Sequence, residues 1–173
     1  MLSRMIPVFA MSLLLSACTS MTPVVKRGNI PPAEDIAVIG LRDCLIKDQS
    51  ECNGSGSIAA SILARVFSTV GGYSSVPLSR PISSKATLTD DEAVKFAASK
   101  NFKFVVNGEV IDYYSVAPMT FRVDRAGISI RLIRVNDGSV LAFYSQQMDS
   151  KTNFDTPDNI LENMAEHFVE SLK

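Results

Sequence analysis

Histidine occurs once in the 173 residues, at His167. A lone histidine leaves no Ser-His-Asp or Cys-His set with a second candidate base, and any metal site would have to be built from carboxylates alone. The acidic run Asp90-Asp91-Glu92 offers such carboxylates, but it lies in the first turn of a helix, where negative charge complements the dipole. With no convergent set of catalytic groups, the expectation is a protein that is not an enzyme and carries no metal and no cofactor. Charge of one sign is lacking too: 17 Lys+Arg face 18 Asp+Glu, scattered along the chain. Nothing there would hold a polyanion, which argues against nucleic acid as a partner. No CxxC pattern occurs among the three cysteines. Nor is any apolar run long enough to span a bilayer, since a membrane helix needs about 20 residues.

The longest apolar run, Ile6 to Leu15, follows a single cation at Arg4 and precedes the small residues Ser16 and Ala17. That is the order of a secretory signal. Its end, Leu15-Ser16-Ala17-Cys18, resembles the lipobox of bacterial lipoproteins, which implies that residues 1–17 are removed and Cys18 is acylated as the new N-terminus. Two or three acyl chains make a stable membrane anchor where one does not. Thr19 follows, not the Asp typical of inner-membrane retention in enteric lipoproteins. The resemblance therefore implies an outer-membrane anchor with the domain facing the periplasm. In that compartment Cys44 and Cys52, with seven residues between them, are expected to form a disulfide around a short polar loop.

Residues 18–34, with Pro23, Pro31, Pro32 and Gly28, predict a flexible tether, and residues 35–173 a single domain. "IAVIGLR" from Ile36 reads as a buried strand. Ile58, Ile62, Leu63, Val66, Phe67 and Val70 recur at helical spacing before Gly71-Gly72. "YSSVPLS" reads as a short or edge strand because of Pro77. Thr89 is placed to cap a helix with Ala93, Phe96 and Ala97 inside. "FKFVVNGEVIDYYS" is a strand long enough to need a bend near Gly108. "ISIRLIRVNDGSVLAFYSQ" is a hairpin turning at Asn136-Asp137-Gly138. Thr156 and Pro157 open a last helix whose apolar positions are 160, 161, 164, 165, 168, 169 and 172. The order β-α-β-α-β-β-β-α predicts an α/β fold bordering on α+β: a mixed sheet of about five strands with three packed helices.

The segments "DDEAVKFAASKNFKFVVNGEVIDYY", "ISIRLIRVNDGSVLAFYSQ" and "TPDNILENMAEHFVESL", within residues 36 to 172, resemble the small αβ domain shared by several envelope lipoproteins. The group comprises an uncharacterised periplasmic lipoprotein family, CsgG, PelC, LpoB and the N-terminal domain of TolB. The resemblance implies an envelope accessory or assembly factor, serving secretion or cell-wall machinery through contacts with another envelope protein, with homo-oligomerisation open.

Two sets of residues are candidates for binding. Tyr113, Tyr114, Met119, Phe121 and Tyr144 are expected to expose aromatic or methionine area near a sheet end, and Tyr113, Tyr114 and Phe121 are the partner-binding candidates. Gly54-Ser55-Gly56-Ser57-Ile58-Ala59 has the G-x-G-x-x-A spacing of a phosphate-holding loop at a helix start. It supports an alternative, a small ligand- or nucleotide-binding domain using Gly54 and Gly56. Against it, the cysteine loop separates these glycines from the preceding strand, and Ser79 or Arg80 stands where an acid should hold the ribose. His167 is expected at the border of its helix's apolar stripe, partly exposed.

Overall fold

The computed structural model describes residues 24–46, 49–115, 123–152 and 154–173. Six strands and three helices follow in the order β1 (Val24–Lys26), β2 (Asp35–Ile39), α1 (Ser55–Thr69), β3 (Ser74–Leu78), α2 (Asp90–Ala98), β4 (Phe104–Tyr114), β5 (Arg125–Arg134), β6 (Val140–Asp149) and α3 (Pro157–Ser171). One sheet holds all the strands, in the spatial order β1-β6-β5-β4-β2-β3. β2 pairs in parallel with β3 and β4, and the remaining pairs are antiparallel. This is the expected mixed sheet with three helices, enlarged by one strand. Pro77 does sit in an edge strand, where its missing N–H breaks no ladder.

The extra strand comes from the segment expected to be a tether. Val24 pairs with Tyr144 and Lys26 with Ala142. The Arg27 and Gly28 amides donate to the Leu141 carbonyl at 2.6 and 3.2 Å, and Ile30 is buried. Lys26 Nζ donates to the Leu172 carbonyl at 2.7 Å, placing a cation at the negative end of α3. The apolar side chains of Val24 and Ile30 and these backbone bonds outweigh the local proline signal.

The sheet has two unlike faces. On one, α1 and α3 cover Ile36, Val38, Val106, Ile128, Ile130, Leu132 and Tyr144, with Phe67 and Phe168 edge to face at 6.0 Å. Among the described residues the other is covered by a helix only at one end, where α2 lays Ala93 and Ala97 over Ala37, Ile39, Val105 and Ile133. α2 opens with a capping box between Thr89 and Glu92, and α3 with the Thr156 hydroxyl accepting from the Asn159 amide at 3.3 Å.

Within α3 the buried set is the one the period gives. α1 differs. Its inward face carries Ala59, Ala60, Leu63, Ala64, Val66 and Phe67, while Ile58 is 38% exposed and Ile62 and Val70 lie only half-buried. The cause is at the start of the helix, where a side chain on Gly56 would place a Cβ 1.9 Å from the Leu41 carbonyl oxygen. That close approach turns the small residues inward. Gly108 likewise is not a bend: a Cβ there would meet the Ser129 carbonyl oxygen at 2.2 Å. β4 is irregular further on, between Val110 and Asp112, where Ile111 is the extra residue of a bulge.

Candidate functional site

The chain passes from β2 into the cysteine loop and returns as α1. Cys44 and Cys52 are joined by a disulfide, with Cα atoms 5.1 Å apart. Just before this loop Asp43 is buried, and its carboxylate accepts from the Gly54 amide at 3.0 Å and from the Gly56 amide at 2.8 Å. Those are the amides that a phosphate would use at a helix N-terminus. The chain's own carboxylate holds them instead, which removes the physical basis of the phosphate-loop alternative. Gly54 is the N-cap, at φ +85°, and no side chain of its own caps the helix. Ser55 is wholly buried, accepting from the Cys44 amide at 3.2 Å and donating to the Cys52 carbonyl at 2.8 Å.

An open cleft of about 410 Å³ lies beside this clasp, between the ends of β2 and β3, with Asp43, Gly54, Ser57 and Arg80 among its walls. Arg80 donates through Nη1 to the Gly40 carbonyl at 2.8 Å and through Nη2 to the Ala86 carbonyl at 2.6 Å. Burial, and then the nearby Arg42 cation, lower its pKa. Arg80 thus ties two loops together. Among the described residues no group of three or more His, Cys, Asp or Glu side chains is close enough to hold a metal ion.

The aromatic candidates separate. Tyr113 packs half-buried against the α1–α3 core and donates its hydroxyl to Asp158 in the first turn of α3. Burial first, then the bond to Asp158, raise its phenol pKa. Tyr114 is half-buried at the end of β4, opposite Arg125. Alternation turns it to the other face of the sheet. Tyr144, expected near the surface, is fully buried: its ring centroid lies 5.5 Å from that of Phe168 and its hydroxyl donates to Gln146. It faces the helices from a central stretch of β6, so packing claims it. His167 is exposed, with its ring 6.2 Å from that of Tyr144. Phe121, Met119 and Cys18 lie outside the described residues.

Sequence reasoning passed over the face of β4, β5 and β6 that α2 leaves open. It carries a lattice of charge: Arg42 with Glu109, Arg131 with Asp90 at 2.9 Å, and Arg125 with Asp149 at 2.5 Å. Gln147 donates to Asp112 Oδ2 at 2.8 Å; the other Asp112 oxygen is buried and meets no donor among the described residues. Asp90, read as a dipole residue, also accepts from the buried Asn107 at 2.9 Å. One signal was there to be seen, a polar Asn107 inside the apolar strand "FVVNGEV".

No family model matches the sequence, and no curated protein matches it. Solved structures do. A dodecamer of PelC from Paraburkholderia phytofirmans superposes with a TM-score of 0.66, at 17% identity, over 86% of this chain and 94% of that one. A point variant of the same PelC, also a dodecamer, gives 0.65 at 16% identity over 87% of this chain and 96% of that one. Lipoprotein GNA1162 from Neisseria meningitidis gives 0.52 at 16% identity, over 80% and 96% of the two chains. This chain has the αβ fold of that lipoprotein group, as the segments quoted above imply. At such identities the fold is what is shared.

Proposed function

We propose that this chain is a non-enzymatic envelope lipoprotein, anchored to the outer membrane through an acylated Cys18, that serves an assembly or secretion machinery by protein contact. The observation that carries this reading is the open face of β4, β5 and β6, which no described helix covers. Charged and edged by Tyr114, it suits a partner protein or a second copy of the chain better than a small molecule. The dodecameric state of PelC supports self-association through a fold of this kind as one form of that contact.

Ser129 lies mid-strand on the open face, opposite Glu109 and Ser145. Ser129→Arg adds bulk there without entering either core. Capture of partners from detergent-solubilised envelopes, and the mass of the purified chain in detergent, should both fall for Ser129→Arg at unchanged thermal stability. Tyr114→Ala should lose about 2 kcal/mol of binding if it anchors the contact. Capture and mass unchanged in both variants would refute the reading.

A further inference from the structure

The exposed large apolar side chains gather at one end of the domain. β2, β3 and β4 run parallel, so their C-terminal ends, the start of β5 and the end of β6 meet there. The loops at that end carry Leu45 (57% exposed), Ile46, Ile82, Val123 and Phe154 (90% exposed). The opposite end, with the turns Gly71-Gly72, Lys100-Asn101 and Asn136-Gly138, carries none of the large apolar residues exposed among the described ones. The other large apolar side chains exposed include Val25 and Val76, which lie on the two edge strands.

The start of the described chain has a direction as well. β1 is antiparallel to β6, so Val24 is its residue nearest the apolar end. Val24 sits level with Tyr144, five residues from the end of β6 at Asp149, which is about 17 Å along the strand. Residues 18–23 can span at most about 20 Å. A Cys18 held at a bilayer surface therefore leaves the domain little freedom to stand away from it.

We propose that this apolar end rests on the lipid surface to which the chain is anchored, with Leu45, Ile46, Ile82, Val123 and Phe154 set among the lipid headgroups and upper acyl chains. The proposal rests on the reading of Cys18 as the anchor. It sets the long axis of the strands across the membrane plane and leaves the open sheet face free at the side. Side chains this exposed and this apolar are stabilised at a water–lipid boundary, which is where aromatic and aliphatic anchors of peripheral proteins reside.

The chain contains no tryptophan, so a single substitution introduces a unique fluorophore. The acylated chain carrying Phe154→Trp, Leu45→Trp or, at the opposite end, Asn136→Trp is purified and reconstituted into phosphatidylethanolamine–phosphatidylglycerol vesicles with brominated acyl chains. All three positions are exposed, so the variants keep their cores, and circular dichroism verifies each. Co-flotation with the vesicles is read first, as the test of the anchor. The expected result is co-flotation of all three, with most of the emission lost at positions 154 and 45 and none at 136. Co-flotation with equal emission at the three positions would overturn the docking and leave the anchor standing, the apolar end then being the seat of a protein. A chain that does not co-float, with unquenched tryptophans, would overturn both.

Discussion

At the scale of single residues, Asp43 occupies the place at a helix N-terminus where sequence spacing suggests a phosphate. Asp43→Ala would leave the Gly54 and Gly56 amides without their acceptor beside a closed loop, a loss of about 1–3 kcal/mol, measurable by urea unfolding. Asp43→Asn keeps one good acceptor and should lose less. Gly56→Ala has no room against the Leu41 carbonyl and should cost more than either, despite the helix propensity of alanine. Tyr144 separates packing from binding: Tyr144→Ala should remove about 3–5 kcal/mol of folding stability. Its phenol, like those of Tyr113 and Tyr73, has a pKa raised first of all by burial. The folded state therefore holds these protons more tightly than the unfolded one. Stability should stay level up to about pH 10, where unfolded tyrosines ionise, and fall as pH rises further. Tyrosinate absorbance followed together with unfolding checks this; a stability curve flat well above that pH would contradict it.

At the scale of elements, the disulfide closes the loop that holds Asp43 against α1. Replacing Cys44 and Cys52 together by alanine should cost about 2–3 kcal/mol through the loop entropy of the unfolded chain, read from denaturant midpoints of the oxidised and double-alanine proteins. The elements differ in how far the sequence reveals them. α3 is legible because one helix packs one broad stripe on one sheet face, so its period is its burial pattern. The stripe of α1 is legible only in Leu63, Val66 and Phe67, because the close approach of Gly56 to Leu41 turns alanines, weak in any hydrophobic pattern, into the rest of the contact. β1 is three residues among prolines, and only its partner β6 makes it a strand. The glycine clasp escapes for the same reason: the Asp43 carboxylate lies far back in sequence from the amides it accepts. The charge pairs of the open face join residues of different elements, Arg42 to β4, β5 to α2 and β5 to β6, which no single segment of the sequence contains.

At the scale of the whole molecule, the two sheet faces have different work. The covered face holds the stability of the domain in Phe67, Tyr144 and Phe168, and the charged face is free to change without unfolding it. Substitutions on the open face should therefore alter partner capture and leave the melting temperature in place, whereas those under α1 and α3 should do the reverse. The edge strand adds a mechanical property. With Cys18 acylated as proposed, tension between that anchor and a bound partner would load β1 along its own axis, shearing a ladder only three residue pairs long while the ladders of β4, β5 and β6 stay shielded behind it. Once β1 let go, residues 24–34, about 36 Å when extended, would replace a path across four strand spacings of roughly 19 Å. The domain would gain on the order of 15–20 Å of reach and keep its fold. In a force trace this is a short early step well below the unfolding event, the signature of a leash that lengthens under load and shortens again at rest.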